Sequence, residues 1–156
     1  MIKMTDIMDF ITNAIEKDSN INGILNAYKN HAAIFQGFMP VEFSEVNDNT
    51  VYIFVIPTGA DEFGYTGETR DLNFQIKVHL YNNNIVDDGV LRKHVATEDL
   101  IDLLYYIAVA IKSVETIGDH VVGAKASYDL EAWPVVKGTL EIRVELPVGL
   151  NAEAEL

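Results

Sequence analysis

Two segments of the chain alternate strictly between apolar and polar side chains, and a long helical pattern lies between them. Alternation with a period of two predicts strands that have one buried face and one solvated face. Such strands belong to an antiparallel or mixed sheet that is covered on one side only. The polar positions are Gln75, Lys77, His79 and Tyr81 in the first segment and Thr139, Glu141, Arg143 and Glu145 in the second.

Apolar residues at spacings of three and four predict two principal helices. The first carries an apolar stripe from Ile7 to Ile15, with Thr5 or Asp6 as its N-terminal cap. A second short helix is plausible over 21–28. The main helix is expected over 91–114, with an internal cap possible at Thr97 and its end at Gly118.

Two further strands frame the longest predicted loop. The continuous apolar run 51–56 predicts a strand that is buried on both faces or lies against another subunit, and Pro57 stops it. Alternation over 122–130 predicts another strand, which the break at Trp133-Pro134 separates from the last one. The acidic, glycine-containing segment 57–72 is expected to be a long loop or a hairpin extension with a role in assembly.

These elements predict a single α+β domain. Its roughly four-stranded, mixed or antiparallel sheet has helices packed on one face, and the last two strands form an antiparallel hairpin. The helix between strands leaves one parallel crossover open. The folded core is expected over 5–148, with an irregular passage at 30–50 and a mobile tail at 149–156.

Composition narrows the possible partners. The chain of 156 residues contains no cysteine, which excludes disulfides, thiolate zinc sites and thiol catalysis. Its formal charge of -13 argues against sequence-specific binding to nucleic acid. The sequence contains neither a secretory signal nor a membrane span, so a soluble protein that is intracellular at synthesis is expected.

No motif predicts catalysis, a cofactor or a metal. The four histidines, at 31, 79, 94 and 120, lack ligand spacing, and His79 on the polar strand face could pair with a carboxylate such as Glu141 or Glu145. The glycines of 57–67 lack the ending of a phosphate loop, and Asp87-Asp88-Gly89 is more simply a turn than part of a calcium loop. Asp102 is expected to be solvated, so an enzyme is not expected.

The order of these segments resembles the tail terminator proteins of long-tailed bacteriophages, also called tail completion or minor tail proteins. The resemblance spans most of 5–148 and lies in the arrangement rather than in any single diagnostic motif. The matching features after the first helix are Ile56-Pro57-Thr58-Gly59, the acidic loop, Thr69-Arg70-Asp71-Leu72, the strand 73–81, Leu103-Leu104, Trp133-Pro134 and the strand 137–146.

The resemblance implies a structural virion protein that is assembled in the cytoplasm of the host bacterium. Such a protein forms a hexameric ring that caps the tail tube, ends its polymerisation and meets the head connector, while DNA passes through the acidic ring. The expected interface residues are Val51, Ile53, Val55, Asp61, Glu62, Phe63, Tyr65, Arg70, Tyr105 and Val109. The expected lumen-facing or neighbour-facing residues are Gln75, Lys77, His79, Glu141, Arg143 and Glu145.

Two other classes remain open from the sequence. A head–tail joining or neck protein shares the ring but contacts the portal side, so its partner distinguishes it. A small acidic cytoplasmic α+β binding module or enzyme would be a monomer with a deep pocket.

Overall fold

A computed structural model describes residues 2–28, 32–37, 49–60 and 69–147. Within these ranges the chain forms three α-helices, two short 3-10 turns (Asn26–Tyr28 and Gly118–His120) and seven strands. The helices are α1 (Met4–Lys17), α2 (Ser19–Leu25) and α3 (Val95–Lys112). The strands are β1 (Ala32–Gln36), β2 (Thr50–Ala60), β3 (Thr69–Tyr81), β4 (Ile85–Asp88), β5 (Leu91–His94), β6 (Val121–Asp129) and β7 (Val135–Pro147).

Five strands form one mixed sheet in the order β1-β2-β3-β7-β6, and β4 and β5 form a separate two-stranded hairpin. The α+β class is therefore confirmed, with one strand more in the main sheet than the sequence predicted. All neighbouring pairs are antiparallel except β1 with β2. The parallel pair thus precedes α3, whereas the sequence suggested a crossover through the main helix. The last two strands form the expected antiparallel pair.

The helices pack on one face of this sheet, with α1 over β2 and α3 over β7. The alternating pattern of β3 and β7 sends every second side chain into this layer. In α3 the buried positions recur at spacings of three and four, so one helical face covers the sheet. The core includes Ile7, Ile11, Ile15, Val51, Ile53, Val55, Phe74, Ile76, Val78, Leu103, Leu104, Ile107, Leu140, Ile142 and Val144.

The close contact between α3 and β7 depends on Gly138, which lies inside β7. A Cβ atom at Gly138 would lie 2.5 Å from Leu104 Cδ1 and 3.0 Å from Leu100 Cδ1. Both distances are too short for ordinary packing, so the missing side chain lets the helix approach the sheet.

The predicted helix 91–114 is wrong at its N-terminal end. Residues Leu91–His94 form β5, which pairs with β4 across the turn Gly89-Val90, and α3 begins only at Val95. Gly89 has φ +65°, a left-handed conformation that residues with a Cβ rarely adopt. The Asp-Gly sequence between two short apolar pairs was the available signal for a hairpin. At the other end, α3 stops at Lys112, and Gly118 lies in a 3-10 turn.

Several other boundaries also differ from the predictions. Strand β1 falls inside the passage 30–50 that was predicted to be irregular, and β2 continues through Pro57 to Ala60 with a register shift between Pro57 and Gly59. The predicted loop 57–72 therefore shortens at both ends, because β3 begins at Thr69, and its centre lies outside the described residues. Helix α1 begins at Met4 instead of being capped by Thr5 or Asp6, and the Asp6 carboxylate accepts a hydrogen bond from the Lys3 backbone N–H.

Candidate assembly surfaces

The polar face of the main sheet carries the side chains that the sequence assigned to a lumen or a neighbour. The strand register places Gln75 opposite Glu141 and Asp71 opposite Glu145, so these side chains share one face. Gln75 donates a hydrogen bond of 3.4 Å to Glu141, which confirms contact across the strands. This face lies opposite the helices and is open between β2 and β6.

Opposite charges meet on this face, as the alternation predicted. Arg143 donates to the carboxylates of Asp71 at 3.2 Å and Glu145 at 2.8 Å. All three side chains are substantially exposed, so the two ion pairs contribute at most about 1 kcal/mol each. A shallow groove of about 340 Å³ lies beside them and includes Thr58, Lys125 and Arg143 in its lining.

His79 does not pair with Glu141 or Glu145, and this prediction is wrong. The register places His79 opposite Tyr52 on one side and Lys137 on the other. Its ring meets that of Phe54 edge-on, with the centroids 5.0 Å apart. Burial lowers the pKa of His79 below its usual value, and the charges of Lys137 and Lys77 lower it further.

A small aromatic cluster extends this end of the polar face. Tyr52, Phe54 and Ile56 are buried on the face of β2 that points away from the main core, where Ala33 and Phe35 pack against them. The Phe35 and Phe54 rings stack with centroids 5.5 Å apart. The run 51–56 is therefore buried on both faces, the first of the two possibilities that its composition left open.

The interface residues predicted from that run are placed differently by the structure. Val51, Ile53 and Val55 have no exposed surface and belong to the main core, so their assignment to a subunit interface is wrong. Arg70 is also buried, with 2% of its surface exposed, and its guanidinium donates to the Ile2 carbonyl. The predicted positions Asp61, Glu62, Phe63 and Tyr65 lie outside the described residues.

Tyr105 and Val109 are exposed as expected, at 64% and 45%. With Ile101 they form a row at spacings of four along one flank of α3. We call this row the α3 flank; it lies on the outer face of the helix, because at 3.6 residues per turn Tyr105 points away from the buried Leu103 and Ile107.

Strand β6, the edge strand beyond β7, is a further exposed surface. Its residues Ala124 and Ala126 lie opposite Ile142 and Leu140, so they belong to the helix-bearing face of the sheet. Both are exposed, as are all residues of β6 after Val121.

The β4–β5 hairpin is a second exposed apolar surface, and the sequence analysis missed it. Its apolar side chains Ile85, Val86, Val90 and Leu91 are all exposed, Val90 completely. The base of the hairpin is held where the His94 ring contacts the Trp133 ring, with centroids 4.6 Å apart. The remainder of the hairpin is also exposed, and its charged side chains include Arg92 and Asp87, which form an ion pair of 3.2 Å.

A buried polar network fixes the point where the chain enters this hairpin. Tyr28 accepts a hydrogen bond of 3.1 Å from the Asn82 side chain and donates to Asp99, while Asn82 accepts from the Asn84 backbone N–H. Burial is the largest influence on Tyr28 and Asp99 and raises the pKa of both. Both pKa shifts therefore arise within a hydrogen-bond network that anchors the structure.

In the part of the chain that the structure describes, no group of His, Asp and Glu side chains is arranged to hold a metal ion. Within the same residues no helix has the length and apolar character needed to cross a bilayer. The Asp102 side chain is exposed, as predicted. The chain matches no known protein-family model, and no curated protein is significantly similar to it.

Proposed function

We propose that the chain is a structural subunit of a bacteriophage tail, and that copies of it form a ring that caps the tail tube and joins it to the head. The observation that carries this proposal is the separation of two exposed surfaces. Paired charges occupy the open face of the sheet, whereas exposed apolar side chains concentrate on the hairpin, the α3 flank and β6.

This separation suits a ring subunit for a physical reason. Exposed apolar side chains that gather in one region of a domain mark a site of protein contact. A closed ring needs two different surfaces on each subunit, one for each neighbour. The polar sheet face then remains for the lumen, and the net charge of -13 on the whole chain repels DNA at a distance.

The proposed partners are the tail-tube protein on one side of the ring and the head connector on the other. The experiment adds the purified chain to purified tube protein and images the mixture by electron microscopy. Rings seated at one end of each tube are expected. Tubes with bare ends, together with tails of normal length in a phage that lacks the chain, would contradict the proposal.

A neck protein on the portal side is the nearest alternative, and the same preparation distinguishes it. A neck protein binds the head connector but leaves the tube ends bare. The polar groove with Lys125 and Arg143 in its lining favours a third possibility, a binding module for a small anionic ligand. A chain that binds such ligands and stays monomeric up to about 100 µM would favour the binding module.

A further inference from the structure

Strand β6 has one edge that carries no partner strand. Its inner edge bonds to β7, and among the described residues no strand lies on its outer edge. The backbone N–H and C=O groups of such an edge are a template for another strand, and natural sheets often block them with proline, a bulge or a very short strand. Strand β6 has nine residues and no proline, and its one register shift, between Val121 and Gly123, leaves 123–129 regular.

The charged side chains of β6 decide which strand this edge accepts. The register with β7 places Lys125 opposite Glu141, on the polar face of the sheet. Asp129 shares that face. Among the described residues neither Lys125 nor Asp129 forms an ion pair. A lysine in an edge strand keeps other strands away unless the arriving strand carries an acid opposite it.

A second copy of β6 carries such an acid at the required position. Two copies pair as antiparallel strands about a two-fold axis, and only registers centred on a residue keep the polar side chains of both copies on one face. With Lys125 at the centre, the two lysines would repel each other. With Ser127 at the centre, Lys125 lies opposite Asp129 of the partner subunit, and residues 125–129 of the two strands pair directly.

This register also orders the rest of the polar face. Charges alternate between acid and base across four strands, in a row made of Glu141 and Lys125 of one copy and Asp129 and Lys137 of the partner subunit. The next row carries hydroxyl groups, because Ser127 lies opposite Thr139 of β7. Opposite charges in facing positions stabilise a strand pair, so the polar face favours this register over the others.

The helix-bearing face accepts the same register. The small Ala126 lies opposite Tyr128 of the partner subunit, whose large side chain is 46% exposed before pairing. The two copies of β7 are then three strand spacings apart, or about 14 Å. Helix α3 packs over β7, and packed helices need only about 8–10 Å between their axes, so the two copies of α3 have room side by side.

We propose that β6 pairs with β6 of a second copy about a two-fold axis at Ser127, which joins the two main sheets into one continuous sheet. The two surfaces of this contact are identical, so it closes at two copies. It uses neither the hairpin nor the α3 flank. The inference therefore goes beyond the proposed ring and does not depend on it.

The absence of cysteine from the chain permits a direct test. Facing residues of antiparallel strands alternate between close and wide pairs. Under a mild oxidant, Ser127→Cys should form a disulfide dimer if its pair is close, and otherwise Ala126→Cys mixed with Tyr128→Cys should crosslink. Thr139→Cys is the matched control and should stay uncrosslinked, because it faces Ser127 from β7 and lies about 14 Å from its copy in the dimer.

A charge exchange tests the register. Lys125→Glu and Asp129→Lys should each raise the dissociation constant at least about tenfold, because each turns the attractive pairs of the dimer into repulsive ones. The double variant should restore association, as measured by sedimentation at several concentrations. Lys112→Glu makes the same change of net charge on exposed α3 surface and should leave association unchanged. Circular dichroism and urea unfolding check that each monomer remains folded.

Three results would overturn the inference: a wild-type chain that is monomeric at the highest concentration tested, no crosslink in either cysteine test, or a double charge variant that associates no better than the single ones. None of these tests requires tube protein. Tube capping by a chain that fails them would leave the proposed function standing on other surfaces. Dimers through β6 in a chain that caps no tube would support this inference and count against the tail role.

Discussion

Similar apolar residues are buried in the central strands but exposed on the hairpin, the α3 flank and β6. In β2, β3 and β7 the side chains that point toward α1 and α3 are buried, and together with the helices they form the core. In the hairpin, the α3 flank and β6, apolar side chains remain exposed to 37% or more. Alternation along a strand thus specifies which side chains share a face, but not whether anything covers that face.

Helix α3 separates the covered region from the uncovered one, so adjacent residues on it give the sharpest contrast. Leu104 is 1% exposed and Tyr105 is 64% exposed. Leu104→Ala should lower the free energy of unfolding by about 2–5 kcal/mol, because it leaves a cavity above β7. Tyr105→Ala should change it by less than about 0.5 kcal/mol. Urea unfolding of both variants at a concentration where the chain is monomeric provides the measurement.

A large loss of unfolding free energy in Tyr105→Ala under these conditions would contradict the contrast with Leu104, since it would show that the α3 flank supports the fold of the monomer. If Tyr105→Ala instead weakened association and left stability unchanged, the contrast would be supported.

Two glycines offer the next contrast, one on each side of the boundary. A Cβ at Gly138 would meet Leu104 Cδ1 at 2.5 Å, whereas one at Gly123 would approach nothing closer than Arg143 Cβ at 4.0 Å. Gly138→Ala should cost about 1–3 kcal/mol because the helix must shift or the leucines must leave their rotamers. Gly123→Ala should be neutral or slightly stabilising. Thermal unfolding of the two variants compares them, and equal effects would contradict the assigned packing of α3 on β7.

The sequence predicted the covered region well because burial there follows local periodicity. The alternation of 74–80 and 140–146 and the stripe of α3 correctly predicted β3, β7 and the helix that covers them. The prediction failed at residues 91–94, because Leu91 fits the apolar spacing of a helix as well as that of a short strand. It also failed to predict the exposure of β6, because Ala124 and Ala126 alternate correctly whether or not a helix lies above them.

The candidate site was less predictable for a related reason. Tyr105 and Val109 were assigned to an interface because the helix carries more apolar surface than one contact with a sheet requires. Val51, Ile53 and Val55 were assigned to an interface because a strand buried on both faces has the same composition as one that meets a neighbour. Only the three-dimensional placement of β1 and α1 distinguishes these cases.

The polar anchor at the base of the hairpin provides the third prediction. Tyr28→Phe removes the donor to Asp99 and the acceptor for Asn82, and it should cost about 1–3 kcal/mol at pH 7. Tyr106→Phe, which changes a partly buried tyrosine of α3, is the control and should cost less than about 0.5 kcal/mol. Unfolding in urea at neutral pH measures both.

The loss from Tyr28→Phe should shrink in acid. Burial, Asp102 and Glu98 raise the pKa of Asp99 above its ordinary 3.8, so the native state favours the protonated carboxyl. The contribution of Asp99 to stability therefore improves as the pH falls through its raised pKa. Once the carboxyl is protonated it no longer needs the Tyr28 donor. A cost that stays constant from pH 7 to about pH 4 would contradict this assignment.

The smallest expected effect concerns His79 on the polar face of the main sheet. The pKa of His79 is lowered by burial against Phe54 and then by Lys137 and Lys77, so the native state favours the neutral ring. The unfolded chain titrates near the ordinary value of 6.5. The contribution of His79 to stability is therefore present above pH 6.5 and is lost as the pH falls through the folded pKa.

Titration of the His79 ring by NMR measures this pKa directly. Lys137→Gln should move the pKa of His79 back toward its usual value without restoring it, because burial is the larger cause. Full restoration would show that the neighbouring charges dominate. The side chain would then be solvated, and the covered region would have only one buried face at this position.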